Sequence, residues 1–160
     1  MSVWAALAGG FVGTLVLTTT LSTASEFGLT RMDLPFLLGT TLTSDRSRAK
    51  AVGYAMHFAI GLIFALVYFL VFRAVGESGW ALGALFGLIH GLFASIALVN
   101  VLLPAIHPRM GTPLSAAADR PLLEPPGFLM LNYGRRTPVV TIAGHIAYGA
   151  IVGGFLSLAG

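Results

Sequence analysis

The chain has 160 residues, of which 56% are hydrophobic and only 9% are charged, and its mean hydropathy is +0.88. Soluble domains carry roughly 25% charged residues, so this composition excludes an ordinary water-soluble domain and indicates an integral membrane protein. The absence of cysteine excludes disulfides, thiolate metal sites and iron–sulfur clusters.

Four apolar runs, each of about 18 residues or more, predict four membrane-spanning helices. Their expected bounds are 3–27, 50–72, 80–103 and 138–158, with long loops at 28–49 and 104–137 and a short turn between the second and third spans. The first run has no basic segment before it and is too long for a signal-peptide core, so we expect it to stay as a span. The fold class is therefore all-α: one domain, 1–160, forming a four-helix membrane bundle.

Basic residues are concentrated beside the two long loops. The short turn carries only Arg73, whereas the loops and adjoining helix ends carry Arg31, Arg46, Arg48, Lys50, Arg109, Arg120, Arg135 and Arg136. The positive-inside rule then places both long loops in the cytoplasm and both termini outside, in what we expect to be a prokaryotic inner membrane.

The same basic residues also indicate what the protein contacts at the membrane surface. The pI near 9.8 favours anionic lipid over nucleic acid, because the charges flank apolar runs. The residues expected to bind lipid headgroups are Arg31, Arg46, Arg48, Arg135 and Arg136. Arg31–Asp33 and Asp119–Arg120 are expected ion pairs in the loops.

Three short matches recur in the same order along the chain, which predicts two tandem hairpins related by an axis along the membrane normal. They are Gly9-xxx-Gly13 with Gly83-xxx-Gly87, Arg31-Met32-x-x-Pro35 with Arg109-Met110-x-x-Pro113, and His57-x-Ala-x-Gly61 with His145-x-Ala-x-Gly149. Glycine stripes of this kind bring membrane helices close together, so we also expect a homo-oligomer or assembly into a membrane complex.

His57, His90 and His145 each lie on a helical stripe of small residues, which predicts that they point into the bundle. A rise of 1.5 Å per residue puts His57 and His145 at one depth, about 10 Å below the cytoplasmic surface. His90 is expected to lie deeper and Glu26 shallower, so that the polar groups form a column.

This column has three interpretations. In the first, the histidines bond to backbone or to Thr18, Thr19, Ser22 or Ser95, and only fix the packing of helices. Alternatively, His57, His145, His90 and Glu26 bind zinc, iron or copper, or the two level histidines hold a b-type haem. In the third interpretation the column passes protons or ions, as in a small transporter.

Four further residues are candidates for supporting a metal site or taking up the metal: His107, Met110, Ser22 and Tyr148. A plain interfacial histidine in a Pro-rich turn is the alternative for His107. The chain has no nucleophile elbow, zincin, P-loop or paired-carboxylate motif, which favours a non-enzymatic protein, such as a subunit of or accessory to a larger membrane complex.

Two motifs resemble those of a family of small bacterial and archaeal four-span membrane proteins without known function. The first is Gly10-Phe-Val-Gly13-Thr-Leu15 and the second is His145-Ile-Ala-Tyr148-Gly149. The resemblance implies a tetraspan fold and supplies no activity.

Overall fold

A computed structural model describes residues 1–111 and 123–159. Within these ranges the regular structure is helical, and no strand is formed beyond one isolated bridge between Met110 and Leu123. Pro113 of the predicted repeat and the predicted Asp119–Arg120 pair lie outside the described residues. The elements in chain order are α1 (Val3–Glu26), α2 (Leu34–Gly39), α3 (Arg46–Val75), α4 (Trp80–Phe93), a π-helix (Ala94–Leu102), α5 (Leu103–Ile106), a 3-10 helix (Phe128–Tyr133) and α6 (Thr137–Leu158).

The described part of the chain contains four helices long and apolar enough to cross a membrane, which confirms the predicted all-α four-helix architecture. They are α1, α3, the continuous rod from Trp80 to Ile106, and α6. At 1.5 Å per residue even the 22-residue α6 is about 33 Å long, enough for a hydrocarbon core of about 30 Å.

Three helix ends differ from the sequence-based bounds by three residues or more, and one of them is the end of α3, which lies at Val75 rather than near 72. α3 begins at Arg46, because the side chain of Asp45 caps it by accepting a hydrogen bond of 2.9 Å from the amide of Ser47. The third rod does not end at Pro104 but continues to Ile106. Pro104 falls in the first turn of α5, directly after the π-helix, a position where its missing N–H is tolerated.

α6 is the central packing element of the bundle. It packs against α1 on one side and α4 on the other, while α3 packs against α1 and α2. Glycines make the α4–α6 contact very close: a Cβ built on Gly149 would lie 2.8 Å from the Cα and amide nitrogen of Gly87. The backbones of α3 and α4 hardly approach each other, and aromatic side chains fill the space between them instead.

The two long loops hold each other at one end of the bundle, called here the loop end. Arg31 in the first loop donates to the carbonyl of Asn132 and pairs with Glu124 at 3.3 Å. Arg109 in the second loop donates to the carbonyl of Thr40. The arginine of each copy of the Arg-Met repeat thus reaches across to the other hairpin.

Candidate functional site

A pocket of about 320 Å³ lies inside the bundle, in the half nearer the loop end. It has walls from α1, α3, the π-helix with α5, and α6. Its lining is apolar except for three histidines and three threonines: Thr14, Leu17, Leu21, Met32, Leu34, Leu38, Thr41, Met56, His57, Ile60, Gly61, Phe64, His90, Ala94, Leu98, Val99, Leu102, Leu103, Ile106, Met130, Thr141 and His145. Three of the four histidines of the chain therefore meet in one cavity.

The pocket is not sealed on the side where α3 faces the π-helix and α5. Met56 and Ile60 on α3 are partly exposed. Across from them, Leu102 is 50% exposed and Ile106 is 64% exposed. Because these side chains belong to candidate membrane helices, the open side of the pocket faces the region that lipid would occupy.

Met130 closes part of the loop end of the pocket. This side chain is fully buried and belongs to the 3-10 helix, which packs against the π-helix. Leu129 and Met130 have φ values of +51° and +58°, a left-handed conformation that costs a non-glycine residue roughly 1–2 kcal/mol. The backbone is therefore strained at the point where the side chain of Met130 covers the pocket.

His57 reaches the pocket from α3 and is tied to α1. Its Nδ1 lies 2.9 Å from Oγ1 of Thr18, and that hydroxyl donates in turn to the carbonyl of Thr14 at 2.6 Å. The close approach is possible because Gly61, one turn further along α3, lies against Thr14: a Cβ there would be only 3.0 Å from the Thr14 Cβ.

His145 reaches the pocket from α6 and is only 7% exposed. Its Nδ1 lies 2.8 Å from the carbonyl oxygen of Thr141, one turn earlier on the same helix. A carbonyl oxygen only accepts, so this nitrogen carries the proton and Nε2 holds a lone pair.

His90 enters from α4 and packs among aromatic rings. Its ring stacks on Phe64 at 4.0 Å between centroids and meets the edge of His145 at 4.7 Å. Tyr148 lies 5.8 Å away, and its hydroxyl donates to the carbonyl of Gly61 at 2.6 Å. The Nδ1 of His90 is buried and has no hydrogen-bond partner among the described residues.

Two hydroxyls close to the histidines are also buried without a partner in the described part of the chain: Thr141 Oγ1 and Tyr68 Oη. Thr141 is 3% exposed and lines the pocket beside His145. Buried polar atoms are paired in the great majority of cases, and each orphan calls for an explanation such as a water or a ligand. His90 and Thr141 both present such an atom in the pocket.

Glu26 is not brought together with the histidines. It is exposed at the end of α1 and does not line the pocket. Ser22 is also away from the imidazoles, with its hydroxyl 3.4 Å from that of Tyr54. Among the residues described, no group of three or more His, Cys, Asp or Glu side chains is arranged to hold a metal ion.

His107 and Met110 belong to the loop end rather than to the pocket. Nε2 of His107 lies 3.1 Å from the carbonyl oxygen of Leu37, and its Nδ1 accepts from the amide of Arg109 at 3.1 Å. Burial lowers the pKa of His107, the Leu37 carbonyl opposes that shift, and the Arg109 guanidinium adds to it. Met110 is buried and bridges to Leu123. His107 therefore fastens the second loop onto α2, whereas Met110 joins two parts of the second loop.

The five arginines expected at the lipid headgroups are all exposed at the loop end. Arg31 pairs with Glu124, Arg48 pairs with Asp45 at 3.2 Å, and Arg46 lies 5.6 Å over the ring of Phe36. Arg135 and Arg136 lie beside the start of α6. The predicted Arg31–Asp33 pairing is replaced by a 2.7 Å ion pair between Asp33 and Lys50.

The fold and pocket define a small α-helical protein with four candidate membrane helices and an internal pocket that contains histidines. A family model for a family of unknown function, DUF6789, matches residues 1–116, and the chain belongs to that family. The match includes the Gly10–Leu15 motif, and it confirms the resemblance to an uncharacterised family; it ends before His145. No curated protein and no solved structure matches the chain.

Proposed function

We propose that the protein is a membrane-embedded binding protein whose pocket holds an apolar molecule with a polar end. The observation that carries this proposal is the combination of apolar walls with two buried polar atoms, His90 Nδ1 and Thr141 Oγ1, that have no hydrogen-bond partner in the described part of the chain. An apolar body would cover the aliphatic lining, and a polar end would satisfy the orphan atoms.

The size and position of the pocket support this proposal. Its volume of about 320 Å³ falls at the lower end of the roughly 300–1,000 Å³ range of small-molecule sites. π-Helices are rare and frequently occur at functional sites, and here the π-helix supplies Ala94, Leu98, Val99 and Leu102 to one wall. A molecule dissolved in the bilayer would reach the pocket through its open side between α3 and the π-helix.

A transition metal or a b-type haem is the second candidate for the pocket. It is favoured by the fixed Nδ1 contacts of His57 and His145, since metal-binding imidazoles almost always donate their other N–H to an oxygen. The pair expected for a b-type haem is His57 and His145, which line the same pocket, and the ring of His90 packs against His145 on one side. Such a centre would use two imidazoles, without Glu26. Several predictions from the sequence stay predictions. They are the role of accessory subunit or small transporter, assembly as a homo-oligomer, location in a prokaryotic inner membrane and binding of anionic lipid.

The proposal is tested by asking what the purified protein carries. The protein is purified in detergent and extracted with organic solvent, and the extract is analysed by mass spectrometry. Ala94 lines the pocket, so Ala94→Phe fills it, whereas Ala59 on α3 is exposed and Ala59→Phe is the matched control. We expect about one apolar molecule per chain in the wild type and in the control, and its loss from Ala94→Phe.

Two further measurements complete this test. Thr141→Val keeps the shape of the side chain but removes the orphan hydroxyl, so retention of ligand should fall even where Ala94→Phe fails to fold. Metal analysis and a visible absorption scan decide between an organic ligand and a metal or haem. A wild type that carries only bulk lipid and detergent, in the same proportions as Ala94→Phe, refutes the binding function.

A further inference from the structure

We infer that the polar end of the bound molecule is a hydroxyl group, which donates a hydrogen bond to Nε2 of His57 or His145. This inference rests on the proposed binding function and names the chemical class of the ligand. It follows from which nitrogen of each imidazole carries the proton, and that assignment is fixed by the partners of the Nδ1 atoms.

At His145 the assignment is direct. The carbonyl oxygen of Thr141 lies 2.8 Å from Nδ1 and can only accept. Nδ1 is therefore the donor, and a neutral imidazole then presents Nε2 as a bare acceptor. This Nε2 makes no hydrogen bond to a described residue, and His145 lines the pocket.

At His57 a short chain of hydrogen bonds gives the same result. The single hydroxyl proton of Thr18 is used on the carbonyl of Thr14, at an oxygen–oxygen distance of 2.6 Å. Thr18 Oγ1 can then only accept from His57 Nδ1, 2.9 Å away. His57 consequently also presents a bare Nε2 in the pocket, without a partner among the described residues.

The surroundings keep both imidazoles in this state. None of the acidic residues that the structure describes lines the pocket, so an imidazolium would be an unpaired charge among apolar side chains. A ligand that fills the pocket and displaces water must therefore supply a donor to these two lone pairs. A ligand with only carbonyl or ether oxygens could not form these hydrogen bonds, because its oxygens and the Nε2 atoms of His57 and His145 are all acceptors.

A hydroxyl also suits the remaining polar groups. No described residue bonds to Nδ1 of His90 and fixes its tautomer, so His90 can donate to the oxygen of the same group, and Thr141 Oγ1 can either donate or accept. A hydroxyl is both donor and acceptor, whereas a carbonyl would satisfy His90 and leave His57 and His145 unpaired. The pocket thus favours an alcohol, a phenol or a quinol over its ether or quinone counterpart.

The test uses two probes that share a skeleton: 4-nonylphenol, which donates, and 4-nonylanisole, its methyl ether, which does not. Each is titrated into the full chain in phosphatidylcholine nanodiscs, with histidine labelled by ¹⁵N. We expect the phenol to bind about tenfold more tightly, because the ether leaves a buried acceptor unpaired. The Nε2 resonance of His57 or His145 should move with the phenol only.

Variants separate the possible outcomes. In the Ala94→Phe protein the pocket is filled, so the probe signal that remains measures partition of the probe into the bilayer. This signal is subtracted from that of the wild type. His57→Phe and His145→Phe remove one acceptor each, and the phenol preference should fall in at least one of them while binding of the ether persists. Equal binding of both probes to the wild type, or an unchanged preference in both variants, overturns the hydroxyl inference and leaves the pocket standing. If neither probe binds and the purified protein carries no ligand, the binding function itself fails.

Discussion

The close contact between α4 and α6 gives opposite predictions for two glycines of the same helix. A Cβ on Gly149 would lie 2.8 Å from Gly87 Cα and still closer to the carbonyl oxygen of Gly83, whereas a Cβ on Gly154 would meet nothing within 4 Å. An ordinary contact begins near 3.4 Å, so Gly149→Ala forces the helices about 0.6 Å apart even at the more distant of these atoms. Gly154→Ala needs no displacement.

The expected free energies follow from these distances. Overpacking of this kind costs about 1–3 kcal/mol, and the higher helix propensity of alanine offsets at most about 1 kcal/mol. Gly149→Ala should therefore be about 1–3 kcal/mol less stable than Gly154→Ala, which gains the same helix propensity without the overlap, and Gly154→Ala itself should be neutral or stabilise the bundle by up to about 1 kcal/mol. The assay is reversible unfolding in mixed micelles, followed by circular dichroism. Equal effects of the two substitutions would show that α4 and α6 do not pack through these glycines.

Three more predictions concern polar contacts. Thr18→Val removes the partner of His57 Nδ1 and should cost about 1 kcal/mol of unfolding free energy, a loss that disappears in a His57→Phe background. The lowered pKa of His107 means that its contribution to holding α2 is complete above the unfolded value of about 6.5 and is lost as pH falls below it. The protection of the α2 amides, taken relative to the intrinsic exchange rate at each pH, should accordingly fall between about pH 7.5 and 5 in the wild type, and a His107→Gln protein that keeps the same pH dependence contradicts this. Asp33 both caps α2 and pairs with Lys50, so Asp33→Asn should cost under about 1 kcal/mol and Asp33→Ala about 1 kcal/mol more, measured by the same unfolding; identical costs would exclude the cap.

The helices and the inward direction of the histidines could be predicted from the sequence, because apolar length and small-residue stripes act locally. The sequence could not predict which helix packs against each stripe of small residues. Gly53, His57 and Gly61 read as one face of α3, yet Gly61 lies against Thr14 of α1, whereas a Cβ on Gly53 would collide with the backbone of Pro35 at the start of α2. A single stripe of small residues on α3 therefore contacts both α1 and α2. Sequence spacing alone does not indicate which part of the stripe contacts which helix.

The depth of the histidines was harder to predict. Counting residues from helix ends separated His90 from His145, but their rings touch. The count assumes that helix ends are level, whereas His90 lies 16 residues before Ile106 and His145 only 8 residues after Thr137, so the end of α5 extends roughly 12 Å beyond the start of α6.

Glu26 does not lie near the histidines because it is on a different face of α1. It follows Thr18 by eight residues, which is about 80° around an α-helix, and this turns it out of the face that carries Thr14 and Thr18. The carboxylate consequently lies on the surface of the bundle.

The central place of α6 also determines when the bundle can form during synthesis. α6 is the last of the four helices to leave the ribosome, yet both α1 and α4 use it as their main partner. Until then the glycine faces of α1 and α4 that contact α6 stay uncovered, whereas Gly61 of α3 is already covered by Thr14 of α1. A ribosome that stalls before Thr137 would leave three inserted helices open to association with foreign partners, and the histidines would not yet share a cavity.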